Sequence, residues 1–143
     1  MKIKTKKILV PLDGSKNSIR GLDMAIHIAR QSHGTITALT VKSVPGIYAL
    51  HPLGFLDFNS MAEVKKTLNE AKVRAAKKGI QLTAKALSGD PGYDITRFVN
   101  NKKNGIDLVV IGARGRSSAK EIFLGSVSNY VLHKSKKPVL IIK

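Results

Sequence analysis

The chain contains no cysteine and no tryptophan, has few acidic residues and lacks any long apolar run. The missing cysteine excludes disulfides, thiolate metal sites and cysteine nucleophiles, although by itself it assigns no compartment. Apolar runs such as Leu108 to Ile111 and Val139 to Ile142 fall far short of the roughly 20 residues that span a bilayer, so no membrane span is expected. The basic start, Met1-Lys2-Ile3-Lys4-Thr5-Lys6-Lys7, imitates the first part of a secretion signal, but Asp13 and Gly14 break the apolar stretch behind it at once. Cytoplasm is therefore the expected location. Aromatic residues make up only 5%, too few to interleave with bases as single-strand binders do.

What is present suits one domain, residues 1–143. A chain of this length with 43% hydrophobic residues and a mean hydropathy of -0.04 can bury a core large enough to offset its chain entropy. Its charge is unusual: 25 Lys and Arg against 9 Asp and Glu give +16, a field that attracts polyanions. Lysine dominates that total, whereas arginine is the better bidentate reader of phosphate, so a solvated lysine-rich surface is the plainer reading. Nucleic-acid binding stays as the alternative function.

Hydrophobic periodicity predicts alternating strands and helices. Lys7 to Leu12 is a continuous apolar run, the pattern of a strand covered on both faces. Ile19, Leu22, Ile26 and Ala29 then recur at helical spacing, with Gly34 as the expected C-cap. Thr35 to Val41 reads as a second strand by its β-branched content. Lys42 to Asn59, with Pro45, Gly46, Pro52 and Gly54, predicts a long loop. Met61, Val64, Leu68, Ala71 and Ala75 form the next helical stripe, closed by Gly79 and carrying Lys65, Lys66, Lys72, Lys77 and Lys78 on its solvent side. Ile80 to Ala86 alternates as an edge strand does, Asp90-Pro91 opens a helix that Asn104-Gly105 is expected to end, and Ile106 to Ile111 is a second buried strand. Val127, Tyr130 and Val131 mark a last helix before the strand Val139 to Ile142. This succession predicts an α/β domain, a doubly wound five-stranded parallel sheet with helices on both faces. In the order 3-2-1-4-5, flavodoxin-like and Rossmann-like, the turns Asp13-Gly14-Ser15 and Gly112-Ala113-Arg114-Gly115 flank one switch point.

The second of these turns, with Gly125-Ser126 nine residues further on, has the parts of a phosphate site. Glycines let backbone N–H groups approach anionic oxygens, and Ser126 opens a helix whose N-terminal amides favour phosphate. Ser128 offers a further hydroxyl, and Arg114 and Arg116 bring charge to the loop. Taken alone, such a glycine-rich connection also fits a simple turn. Other chemistries lack their residues: His27, His33, His51 and His133 show no metal-ligand spacing, and there is no GxSxG elbow and no GxxxxGK[ST] loop. Asp13 stands alone where a phospho-accepting receiver has an acidic pair. Ser118-x-x-Glu121 reads as a capping box.

The spacing Gly112-x2-Gly115-x9-Gly125-Ser126 resembles the ATP-binding signature of the universal stress protein family. The likeness extends over the chain, from Ile8-Leu9-Val10-Pro11-Leu12-Asp13-Gly14-Ser15 to Ser135-Lys136-Lys137-Pro138-Val139-Leu140-Ile141-Ile142. The resemblance implies ATP as ligand, with Mg²⁺ or Mn²⁺ as candidate bridge of its phosphates. It implies that Asp13 and Val41 meet the adenosine, that Pro11 and Leu12 wall the pocket, and that Gly112, Gly115, Gly125, Ser126 and Val127 surround the ribose and phosphates, with Arg114 beside them. It further implies a nucleotide-dependent regulator or sensor in the stress response, at most a weak ATPase without assigned catalytic residues or a protein-held metal, and a homodimer through the last strand.

Overall fold

The computed structural model describes residues 5–44, 58–115 and 124–143. Five strands, β1 (Lys7–Pro11), β2 (Thr35–Ser43), β3 (Leu82–Gly89), β4 (Leu108–Gly112) and β5 (Val139–Ile142), form one parallel sheet in the order β3-β2-β1-β4-β5. The helices α1 (Lys16–Ser32), α2 (Phe58–Ala76), α3 (Pro91–Asn100) and α4 (Ser126–Lys134) connect them. This is the predicted doubly wound fold. The register pairs Leu9 with Thr37 on one side and with Val109 on the other, which places β1 at the sheet's centre.

Alternation along each strand divides the core into two layers. Ile8, Val10, Ile36, Ala38 and Val110 pack under Leu22 and Ala25 of α1 and Leu68 and Ala71 of α2. Leu9, Leu39, Val109 and Ile111 face Ile95 and Val99 of α3 and Val131 of α4. A central strand has no solvent face, which is why β1 and β4 read as unbroken apolar runs. Arg74 of α2 clasps Asp23 of α1 with two guanidinium nitrogens, Nε at 2.5 Å and Nη2 at 2.9 Å. That hydrogen bond raises the arginine's pKa above its ordinary value despite slight desolvation.

Several local expectations shift. The residue that closes α1 in the left-handed conformation is His33 (φ 51°), not Gly34. Gly34 is needed for another reason: a Cβ there would stand 2.7 Å from the Lys6 carbonyl oxygen. α3 stops at Asn100, and a separate 3-10 turn, Lys102–Asn104, closes on Gly105 at φ 62°. Asn101 makes this break by accepting the Lys103 N–H on its side chain, a local bond that competes with the helical ladder. β2 runs to Ser43, two residues past Val41. Of the α2 stripe, Leu68, Ala71 and Ala75 are buried, while Met61 is 54% exposed. Lys77 and Lys78 lie beyond the end of α2. The rest of the long loop, residues 45–57, and His51, Arg116 and Ser118-x-x-Glu121 lie outside the described residues. No helix among the described residues is long and apolar enough to cross a membrane.

Candidate functional site

In a parallel sheet every strand delivers its C-terminal end, and every following helix its first turn, to the same edge. At that edge a cleft of about 290 Å³ opens where the chain leaves β1 toward β2 and β4 toward β5. Its size is near the lower bound of small-molecule sites. The site residues expected from sequence come together there: Pro11, Leu12 and Asp13 after β1, Val41 on β2, then Gly112, Arg114 and Gly115, and finally Gly125, Ser126 and Val127.

The β1 turn is built locally. Gly14 sits at φ 81°, and Asp13 Oδ1 accepts the Ser15 N–H at 2.9 Å, so one carboxylate oxygen serves an Asx-turn. Ser15 in turn caps α1 by accepting the Ser18 N–H at 3.1 Å. The second Asp13 oxygen faces the other turn, since a Cβ on Gly115 would stand 2.5 Å from Oδ2. One oxygen of this exposed side chain thus serves the turn, and the other stands toward Gly115.

Hydrogen bonds explain how the two halves of the glycine motif meet. The Gly125 N–H donates to the Ala113 carbonyl at 2.8 Å, and Ser128 Oγ donates to that same carbonyl at 2.7 Å. Ser128 is 3% exposed, so its hydroxyl pins the returning chain rather than standing ready for a ligand, as sequence had suggested. Gly112 is a packing glycine, because a Cβ there would meet the Asn17 backbone at 2.8 Å.

Gly125 differs from both other glycines. Its backbone (φ -63°, ψ 158°) suits any residue, and among the described residues a Cβ would find only ordinary contacts, the nearest at 3.4 Å to Arg114 Cα. It is the N-cap of α4, a position that glycine fills about as well as Thr and a little less well than Ser, Asp or Asn, but it has no side-chain oxygen to offer the first amides. The first ladder bond of α4 is Asn129 N–H to Gly125 O at 2.9 Å, so the amides of Ser126 to Ser128 precede the ladder at the positive end of the helix dipole. Bare helical amides over a cleft, kept bare by a glycine that packing does not demand, suit an anionic group.

The opposite wall is apolar and partly unforeseen. Leu39 on β2, Pro91 and Ile95 on α3 and Ile111 on β4 join Val41 and Pro11, with Ser43 adding a hydroxyl, while the Ser18 hydroxyl donates to the Ser15 carbonyl at 2.9 Å. Sheet parallelism was the available signal, because it commits the Asp90-Pro91 helix start to the same edge as the two glycine turns. An apolar wall facing bare amides and glycines matches a flat heterocycle joined to phosphate. Among the described lining residues Asp13 is the only carboxylate.

Comparison with known proteins agrees with this geometry. Residues 4–143 match the model of the universal stress protein family. The universal stress protein YxiE of Bacillus subtilis is 38% identical over 149 residues, covering 96% of this chain and 98% of the relative. The structure of universal stress protein UspA from Lactobacillus plantarum superposes with a TM-score of 0.86 at 25% identity, covering 99% and 100% of the two chains. The universal stress protein from Archaeoglobus fulgidus in complex with dAMP does so with a TM-score of 0.71 at 27% identity, covering 99% and 100%. A doubly wound sheet in this strand order, a glycine motif closed over a strand-end cleft and similarity from end to end lead to one conclusion: the chain belongs to the universal stress protein family.

Proposed function

We propose that the strand-end cleft binds an adenine nucleotide, ATP, and that the protein is a cytoplasmic, nucleotide-dependent regulator of the stress response with slow or no hydrolysis. The observation that carries this reading is Gly125, which leaves the first amides of α4 uncapped over the cleft although its backbone and surroundings would accept a capping side chain. The amides of Ser126 and Val127 would receive phosphate oxygens, Gly115 lets the chain pass close to Asp13, and the free Asp13 oxygen accepts hydroxyl protons of the ribose. Val41, Leu39 and Pro91 supply apolar surface for the base. A relative's complex with dAMP supports the nucleotide class.

Mg²⁺ or Mn²⁺ would enter with the phosphates and neutralise part of their charge. Slow turnover belongs to this reading: among the described lining residues Asp13 is the one carboxylate, and one of its oxygens already accepts the Ser15 N–H. A homodimer through β5 accompanies this reading, because Leu140 is 36% exposed on an edge strand that no other strand of the described residues borders. The test is to denature freshly purified protein and identify the released nucleotide by chromatography and mass, with calorimetry for ATP and AMP. ATP released in near-stoichiometric amount, or tighter binding of ATP than AMP, is the expected result. Tighter AMP binding would transfer the assignment to a monophosphate, the ligand class of the dAMP complex. Failure to bind either at millimolar concentration would end the reading.

A further inference from the structure

Among the described residues, the end of the sheet opposite the cleft gathers basic side chains from every connection. Parallel strands put all four helix C-termini and all strand starts at this end, and each connection arrives basic. β1 enters through Lys6 and Lys7, and α1 leaves through Arg30. Lys77 and Lys78 follow α2, Lys102 and Lys103 form the turn after α3, and Lys134, Lys136 and Lys137 lead from α4 into β5. All are exposed.

Hydrogen bonds join these connections into one surface. Asn100 of α3 donates to the Lys134 carbonyl at 3.0 Å and accepts the Lys136 N–H at 2.8 Å, bringing the α3 and α4 ends together. Asp107 Oδ2 accepts the N–H groups of Lys6 and Lys7, each at 3.0 Å, so the one acid among the described residues of these connections already serves the backbone. A Cβ on Gly105 would stand 3.9 Å from Lys7 Nζ, so that ammonium reaches the Lys102–Asn104 turn.

Helix capping does not account for so much charge. Lys6 Nζ does donate to the Ser32 carbonyl at 2.6 Å, and cations suit helix C-termini. Yet four C-termini supply only about -2 charges in total at about -0.5 each. The excess of lysine is several times larger.

We propose that this basic pole binds the phosphate backbone of duplex nucleic acid without reading sequence. Five strands at about 4.8 Å spacing make the pole roughly 20 Å wide, a length over which a duplex presents on the order of ten phosphates. Lysine point charges suit phosphate, and with Arg30 the one arginine among these residues the surface offers little bidentate reading of guanine. Among the described residues the exposed large hydrophobics nearest this end are Leu132 and Val73, one each in the last turns of α4 and α2 with no aromatic beside them, too few for wedging into a bilayer or stacking on single strands. The surface faces away from the cleft, so this binding does not depend on the nucleotide assignment.

The experiment measures fluorescence anisotropy of a short random-sequence duplex DNA against the full chain between about 50 and 200 mM NaCl. The parent should show a slope of log K against log salt steeper than about -4. Changing Lys102, Lys103, Lys136 and Lys137 to Gln should lower affinity at least about tenfold and shrink the slope by about 2 to 4 units. The same positions changed to Arg should keep the parent's slope, which separates charge from folding. Changing Lys65, Lys66, Lys72 and Lys143 to Gln removes equal charge elsewhere and should alter the slope by less than about one unit. Equal losses in the two Gln proteins, or a parent slope shallower than about -2, would overturn the proposal. So would binding to phosphatidylserine vesicles, lost in the pole variant, by a parent that leaves the duplex alone.

Discussion

Gly125→Ser separates binding from stability in a way few substitutions do. The backbone at Gly125 (φ -63°, ψ 158°) lies where serine is comfortable, and its Cβ would rest 3.4 to 3.6 Å from Arg114, Ala113 and Ser128 atoms. Serine is also a better N-cap than glycine by a few tenths of a kcal/mol, because its oxygen accepts one of the orphan amides of α4. Thermal stability should therefore hold or rise slightly. The same oxygen occupies an amide that we assign to phosphate, and the new side chain stands over the cleft. Loss of one charge-assisted hydrogen bond, about 1.5 to 3 kcal/mol, weakens ATP about 10- to 150-fold. Gly112→Ala is the control with opposite logic: its Cβ would meet the Asn17 backbone at 2.8 Å, an overpacking cost of about 1 to 3 kcal/mol that lowers Tm by several degrees. Calorimetry with ATP and a thermal melt read both quantities for each protein. A folded Gly125→Ser protein that binds ATP as tightly as the parent refutes the phosphate assignment, and a Tm loss as large as that of Gly112→Ala refutes the packing distinction.

Asp13→Ala should cost ATP affinity about 1.5 to 3 kcal/mol while leaving inorganic triphosphate binding nearly unchanged, and equal losses for the two ligands in calorimetry would deny Asp13 a role on the nucleoside. Ser128→Ala removes the hydroxyl that holds Gly125 to Ala113 and should lower stability by about 1 kcal/mol in denaturant melts; the Ala113 carbonyl keeps the Gly125 N–H, so a much larger loss would mean the clamp has another member. Leu140→Lys alters an exposed side chain and should leave the monomer folded while abolishing the dimer in sedimentation, whereas a parent that sediments as a monomer at high micromolar concentration rejects the β5 interface.

Much of this protein was legible in its sequence because the relevant physics is short in range. Continuous apolar runs marked β1 and β4 as strands with two covered faces, three-and-four spacing marked α1, and Asp90 before Pro91 marked the start of α3; each depends on a few neighbouring residues. The spacing from Gly112 to Ser126 likewise pointed to one edge of the sheet. Sequence could not say why each glycine is there. Gly112 and Gly115 are constrained by Asn17 and Asp13, residues about a hundred positions away that only strand order brings near, whereas Gly125 meets no such constraint among the described residues. Ser128 read as a spare hydroxyl until the fold set it on the Ala113 carbonyl. Along the chain, Lys65, Lys66, Lys72, Lys77 and Lys78 read as the solvent face of α2 and the other lysines as scattered; a parallel sheet aligns the helix ends and gathers Lys77 and Lys78 with Lys102, Lys103, Lys136 and Lys137 into a pole. Periodicity and capping determined the elements and their order, and tertiary structure alone decided which distant side chains became neighbours, because hydrogen bonds and steric contacts act over a few ångströms regardless of separation in the chain.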